Sequence, residues 1–184
     1  MQRYLGFEDG IKTIEKQVNE LDINKKNFAN EKNKLLKKKN FLLKKIYSNL
    51  SAWDKVQVAR HTNRPHSIDY IKNIFYNVVY LHGDKKFSDD SAILGCLAEL
   101  SGQSVIIIGT EKGNSMESRI KHNFGMAKPE GYRKAQRLMK LANKFNLPVI
   151  TLVDTAGAFP GKDAEERGQS ESIASSILTS LQIE

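Results

Sequence analysis

The run Val149-Ile150-Thr151-Leu152-Val153 constrains this chain more than any other stretch. Consecutive β-branched and apolar residues leave a strand no face for water, so the run predicts a strand covered on both sides, as in sheets flanked by helices. The residues before it fit such a unit. Pro129 suits a first helical turn, Tyr132, Ala135, Leu138, Met139, Ala142 and Phe145 repeat at helical spacing up to Asn146, and Leu147-Pro148 ends the pattern. A helix feeding a buried strand predicts a βαβ-like arrangement. Beyond the strand, Asp163–Leu181 reads as a helix with Asp163 as N-cap and Glu166 placed to complete a capping box.

Upstream, Phe7, Ile11, Ile14, Val18 and Leu21 recur at three- and four-residue steps, the stripe of an amphipathic helix. After the break Asp22-Ile23-Asn24, a second helical pattern carries Phe28, Leu35, Leu42 and Ile46 on its apolar side and Lys37, Lys38, Lys39, Lys44 and Lys45 mostly toward water. An antiparallel hairpin over 1–50 follows, with 51–184 forming a second domain. Neither stripe can bury itself alone, so the hairpin is expected to dock on its own domain or on a partner chain. Ser51 is placed to cap a short helix through Arg60, and after Arg64-Pro65, Ser67 is placed to cap a helix from Ile68 to about Leu81. Trp53 and the neighbouring tyrosines read as packing residues. Ala92–Leu100 and Val105–Ile108 read as two strands of a hairpin turning at Ser101-Gly102-Gln103. The polar stretch Gly109–Lys128, with Gly113 and Gly125 suited to tight backbone paths, is a candidate functional loop.

Charge narrows the function classes. The net charge is +8, but 1–50 holds 12 Lys or Arg against 6 Asp or Glu, and the remainder 17 against 15. Most of the excess is therefore lysine on a helix, without the arginine forks or interleaved aromatics that nucleic-acid sites favour, and a solvated helix face is the better reading. The single cysteine, Cys96, forms no disulfide within the chain and fits a reducing compartment. No signal-peptide pattern opens the sequence and no segment approaches about 20 apolar residues, so a cytoplasmic chain without a membrane span is expected. The four histidines, His61, His66, His82 and His122, lack ligand pairs at helical spacing, and no metal site is expected. No glycine-flanked nucleophile elbow occurs.

The informative stretch is Asp154-Thr155-Ala156-Gly157-Ala158-Phe159-Pro160-Gly161, between the buried strand and the next helix, where α/β folds tend to bind ligands. Gly157 and Ala158 let a substrate oxygen approach their N–H groups, Pro160 stiffens the turn and Gly161 permits unusual torsions. Preorganised amides at such a place can stabilise an oxyanion. On spacing alone the stretch is equally an ordinary strand-to-helix turn. A P-loop is opposed by Ala156 and Asp163 where glycine and a hydroxyl residue are needed, and by Pro160, which removes an amide.

Several ordered blocks resemble one family, the alpha subunit of bacterial acetyl-coenzyme A carboxylase carboxyltransferase, from Phe7 to about Leu181. They are Ala52-Trp53 with Val58-Ala59-Arg60-His61, Arg64-Pro65, Ile107-Ile108-Gly109 with Lys112-Gly113, and Asn123-Phe124-Gly125-Met126. Pro129-Glu130-Gly131-Tyr132-Arg133-Lys134-Ala135 and Asp154–Gly161 followed by Ala164-Glu165-Glu166-Arg167-Gly168-Gln169-Ser170-Glu171 are the strongest. The resemblance implies an α/β, crotonase-like (ClpP/crotonase) fold, incomplete and preceded by the helical hairpin. It implies transfer of a carboxyl group from carboxybiotin on a carrier protein to acetyl-CoA, giving malonyl-CoA for fatty-acid biosynthesis within an ATP-dependent complex. Partners would be the carboxyltransferase beta subunit, which carries the zinc ribbon, the biotin carboxyl carrier protein and biotin carboxylase, around an alpha2beta2 core. Gly157 and Ala158 would be catalytic, as the first oxyanion loop, and Phe159, Gly161 and Gly125 would bind substrate. Asn114 stands where relatives often carry Arg, which weakens any phosphate role for that loop, and Ala156 stands where Pro is common. A second oxyanion loop would follow a further strand beyond Glu184, so the chain is expected to be inactive alone. Other readings are a different crotonase-type acyl-CoA enzyme, such as a hydratase or decarboxylase, and a non-catalytic basic docking module.

Overall fold

Strand pairing organises the part of the chain that holds the candidate loop. A computed structural model describes residues 4–22 and 27–183, and these fall into two units, Met1–Arg64 and Pro65–Glu184. In the first, a 3₁₀ turn at Gly6–Glu8 leads into α1 (Asp9–Asn19), followed by α2 (Phe28–Tyr47) and α3 (Ala52–Ala59). Phe7 meets Tyr47 edge-on, and the Tyr47 hydroxyl donates to Glu8 at 2.7 Å. Glu15 pairs with Lys39, so the two helices run antiparallel as the stripes predict, with Ile11 and Ile14 buried. The break expected at Asp22-Ile23-Asn24 lies partly outside the described residues. Ser51 caps α3 reciprocally: its Oγ accepts from Asp54 N at 3.1 Å while the Asp54 carboxylate accepts from Ser51 N at 3.1 Å. Trp53, expected to pack, is 65% exposed.

The second unit holds α4 (Ser67–Ile74), β1 (Tyr76–Tyr80), β2 (Ile93–Leu100), β3 (Gln103–Thr110), α5 (Met116–Lys121), α6 (Pro129–Lys144), β4 (Val149–Leu152), α7 (Lys162–Glu166) and α8 (Gln169–Gln182). The sheet order is β1-β2-β3-β4, antiparallel except for the parallel pair β3–β4. Ser101 (φ 51°) and Gly102 (φ 82°) close the β2–β3 hairpin with two left-handed residues, the backbone that matches strand twist. Side chains alternate between the faces. Ile93, Ile106 and Ile108 join Ala135, Leu138 and Ala142 of α6 on one side. Cys96, Ala98, Val105 and Ile107 join Ile71 and Phe75 on the other. Cys96 is fully buried, and burial pushes its thiol up to about 11. Gly95 lies directly beneath Leu138, where a methyl group would collide with the leucine side chain.

Four sequence expectations need correction. The helix starting near Ser67 stops at Ile74, and Tyr76–Tyr80 pairs with β2 instead, because a left-handed Asn77 and the run Val78-Val79-Tyr80 suit a sheet edge. Ser67 does not cap α4. His66 is the N-cap, Glu111 Oε2 accepts from Ile68 N at 3.0 Å, and the Ser67 hydroxyl donates to the Thr110 carbonyl at 2.6 Å. Strand β4 is covered on both faces only in part: Val149 packs on one core cluster and Ile150 and Leu152 on the other, but none of them is fully buried and Thr151 is exposed. The helix expected over Asp163–Leu181 is broken at Gly168 (φ 82°), and Gly161 rather than Asp163 precedes its first turn. Asp163 instead faces Lys128 at 3.6 Å and Arg167 at 3.4 Å.

Cations on α6 hold the 81–91 loop. Arg133 Nε meets Asp84 at 2.8 Å, the buried Lys134 ammonium meets Asp89 at 2.5 Å and the Asp90 carbonyl at 2.7 Å, and Arg137 donates to the carbonyls of Gly83 and His82. Burial alone would raise the carboxyls of Asp84 and Asp89. Backbone amides of Lys86, Phe87 and Ser88 with Arg133, and Lys134 with Gly83 N and His82, outweigh it and bring each down to about 2. Because these folded-state values lie below the unfolded reference near 3.9, the stability they contribute is present above about pH 4 and is lost as pH falls toward about 2. Asp84→Asn should flatten that acid descent by up to about 2 kcal/mol in urea unfolding followed by circular dichroism. A descent as steep as wild type would remove Asp84 from this role.

Candidate active site

Parallel pairing of β3 with β4 brings their carboxyl ends side by side, Gly109 opposite Leu152. The two chains are then stitched beyond the strands. Asp154 N donates to Thr110 Oγ1 at 2.5 Å, and the Lys112 ammonium meets the Asp154 carboxylate at 2.7 Å. Glu111, 2% exposed, accepts from Gly113 N at 2.8 Å and lies 3.1 Å from His66 Nδ1, which fixes the start of the next loop.

From this base the stretch Asp154–Gly161 crosses over the turn Asn123–Gly125. The Thr155 hydroxyl donates to the Gly125 carbonyl at 2.5 Å, lies 3.0 Å from the Gly157 carbonyl, and accepts from Gly157 N at 3.1 Å. Ala158 then forms a single parallel bridge with Ala127, and Phe159 N donates to the Ala127 carbonyl at 3.0 Å. In this bridge the neighbours Gly157 and Phe159 face Ala127, which turns the Ala158 N–H the other way. Among the described residues no acceptor meets that N–H. Gln169, at the start of α8, donates from one carboxamide nitrogen to the carbonyls of Ala127 (2.9 Å) and Phe159 (3.2 Å).

All five residues expected in the site fall within this crossing, at different depths. Gly157 is exposed and Ala158 half-buried. Gly157 adopts φ 147°, open space lies where a side chain would project, and its amide is already engaged by Thr155. The Phe159 ring lies under the Lys128 ammonium at 4.7 Å, and a side chain on Gly161 would strike that ring. Gly125 is buried behind the loop at φ 80°, with Lys112 Cγ 2.6 Å from where a β-carbon would sit.

Sequence reasoning gave no role to Thr155, Gln169 or Lys112. Thr155 lies inside the singled-out stretch, but its hydroxyl matters only once Gly125 is known to be adjacent. Gln169 sits in a polar helical segment where periodicity marks nothing. Charges around the loop are paired: Arg167 reaches Glu130 at 3.1 Å as well as Asp163, and its hydrogen bond to Glu130 raises its already high pKa. Among the described residues no group of three His, Cys, Asp or Glu side chains could hold a metal ion, and no helix is long and apolar enough to cross a membrane.

Gly125→Ala should destabilise the second unit by about 1–3 kcal/mol, since it combines a left-handed backbone with a collision against Lys112. Thermal unfolding measures this, and an unchanged midpoint would show that the turn can move aside.

The sequence matches the family model described as acetyl co-enzyme A carboxylase carboxyltransferase-like over residues 4–184. Similar proteins include the acetyl-coenzyme A carboxylase carboxyl transferase subunit alpha of Rhodospirillum centenum, 53% identical over 98% of this chain and 58% of that protein. The subunit of the same name from Agrobacterium fabrum is 50% identical over 100% of this chain and 59% of its own length. The chain thus spans somewhat under three fifths of the curated relatives it matches. Among solved structures, a transcarboxylase 12S with hydrolyzed methylmalonyl-coenzyme A bound superposes with a TM-score of 0.54 at 20% identity, covering 67% of this chain and 22% of that one. A single-chain, multi-domain long-chain acyl-CoA carboxylase gives 0.54 at 23% identity, covering 69% and 13%. These likenesses identify the fold as crotonase-like, in which the four-stranded sheet is part of a larger whole. The family match covers nearly the entire sequence: this chain belongs to the acetyl-coenzyme A carboxylase carboxyltransferase family, with the alpha subunits as its relatives.

Proposed function

We infer that this chain supplies the biotin-facing half of a carboxyltransferase site, in a reaction that moves a carboxyl group from carboxybiotin on a carrier protein to acetyl-CoA and yields malonyl-CoA. The observation that carries this reading is the outward Ala158 N–H at the carboxyl end of β4, with its flanking backbone already committed. Carboxybiotin, when bound, would bring a ureido oxygen that gains negative charge as its carboxyl group passes to the acyl acceptor, and the Ala158 N–H would face that charge. A fixed N–H dipole meets that charge without reorganising, so it lowers the barrier rather than only tightening binding. Gly157 and Ala158 keep the approach clear of side chains, while Phe159 and Gly161 shape the wall beside it and Gly125 supports the loop from behind.

The acetyl-CoA enolate would be stabilised by the beta subunit, which makes the pair the catalytic entity, served by the biotin carboxyl carrier protein and biotin carboxylase in a bacterial cytoplasm.

Mixing a full-length alpha subunit that carries this sequence with the beta subunit and carboxylated carrier should form malonyl-CoA, and the chain alone should form none. Product formed by the chain alone, or formed without any biotin carrier, would overturn the assignment. In the active pair, Ala158→Pro deletes the N–H and should lower kcat by about 100- to 1000-fold, with circular dichroism checking that the fold persists.

A further inference from the structure

Of the two amides at the turn, one is engaged and one is not, and this difference has a built cause. Thr155 Oγ1 accepts from Gly157 N at 3.1 Å and donates to the carbonyl of Gly125 at 2.5 Å, so one hydroxyl both occupies the Gly157 amide and ties the loop to the Asn123–Gly125 turn. On the other side of Ala158, the Ala127 carbonyl accepts twice, from Phe159 N at 3.0 Å and from Gln169 Nε2 at 2.9 Å, and the same Nε2 reaches the Phe159 carbonyl at 3.2 Å. Two acceptors on one nitrogen fix which end of the Gln169 carboxamide is the NH₂. Its Oε1 is buried without a partner among the described residues. A buried polar group left half-satisfied is uncommon.

We propose that Thr155 and Gln169 are positioning residues that clamp the turn from both sides, reserving the Ala158 N–H as the sole oxyanion donor of this loop while the Gly157 N–H is held back by Thr155. The proposal rests on the carboxyltransferase reading above and deepens it. Neither side chain need touch the substrate. Each fixes peptide planes adjoining Ala158, and an oxyanion donor depends steeply on aim, since a misplacement of about 1 Å can cost about 100-fold in rate. Because the clamp sets orientation and not the size or charge of the cavity, its loss acts on turnover rather than on capture of the carrier.

Two measurements test it. In the chain by itself, amide hydrogen exchange read by NMR should show Gly157 exchanging about tenfold or more slowly than Ala158. Thr155→Val should abolish the protection of Gly157, and Thr155→Ser should restore it. In the complex of a full-length alpha subunit carrying this sequence with the beta subunit, Thr155→Val and Gln169→Met should each lower kcat by about 10- to 100-fold and leave KM for the carboxylated carrier within about twofold, whereas Thr155→Ser should keep near wild-type turnover. Equal exchange of Gly157 and Ala158 in the wild-type chain overturns the clamp. So does a wild-type kcat in the Thr155→Val complex, a raised KM with kcat unchanged, or a serine variant as impaired as the valine one. Should the wild-type complex itself transfer no carboxyl group, the functional reading fails, whereas the exchange pattern still decides whether Thr155 commits the Gly157 amide. If Thr155→Val does not fold, the wild-type exchange ratio and the turnover of the serine variant decide the matter.

Discussion

The parallel pairing of β3 with β4 is the constraint on which the site depends. It sets Thr110 beside Asp154 and Lys112 within 2.7 Å of the Asp154 carboxylate, so the chain leaves the sheet in a direction fixed by two strands and not one. Everything downstream inherits that direction. The crossing over Asn123–Gly125, the single rung between Ala127 and Ala158, and the Gln169 contact all require the loop to emerge where it does. Parallel pairs need a crossover connection, and here α6 supplies it, pressing Leu138 and Ala142 onto the sheet. Removing Leu138 would cost about 2–5 kcal/mol by cavity formation, and the loss would reach the loop through β3 and β4.

Electrostatics divide along the same lines. The first unit carries 15 basic and 7 acidic residues, the second equal numbers of each, so the whole net charge belongs to residues 1–64. In the second unit charge acts through local pairs. The α6 cations neutralise Asp84 and Asp89 within the protein, while burial raises the Asp90 carboxyl against the amides of Ala92 and Lys128 that bond it. A loop that sees few unpaired charges can present a neutral N–H dipole as its working group.

Periodicity made the helices legible wherever an apolar stripe met a single partner: α1, α2, α3 and α6 fall where their spacing places them, and Pro129 opens α6 as its missing N–H allows. The β2–β3 hairpin was equally readable from Ser101-Gly102. Local pattern failed where tertiary pairing decides. Residues 68–81 satisfy a helical spacing to their end, yet the free edge of β2 captures Tyr76–Tyr80. The apolar run of β4 promised full cover on both faces, whereas here each face is covered only in part, with Val149 on one core cluster and Ile150 and Leu152 on the other. Gly168 interrupts an otherwise continuous helical pattern through one left-handed residue. The chemical stretch itself could be named from small residues after a strand. Which of its amides points outward could not, because that depends on a threonine meeting a carbonyl 30 positions away.

Burial of Cys96 on the face of β2 that packs against Ile71 and Phe75 has a practical consequence. Only the thiolate reacts readily with alkylating reagents, and a thiol raised to about 11 and fully enclosed is almost entirely protonated near neutrality. The native chain therefore behaves toward such reagents as though it had no cysteine. A spectroscopic label attached to a thiol installed at exposed Ala156 would report from the turn alone, with the wild-type core untouched.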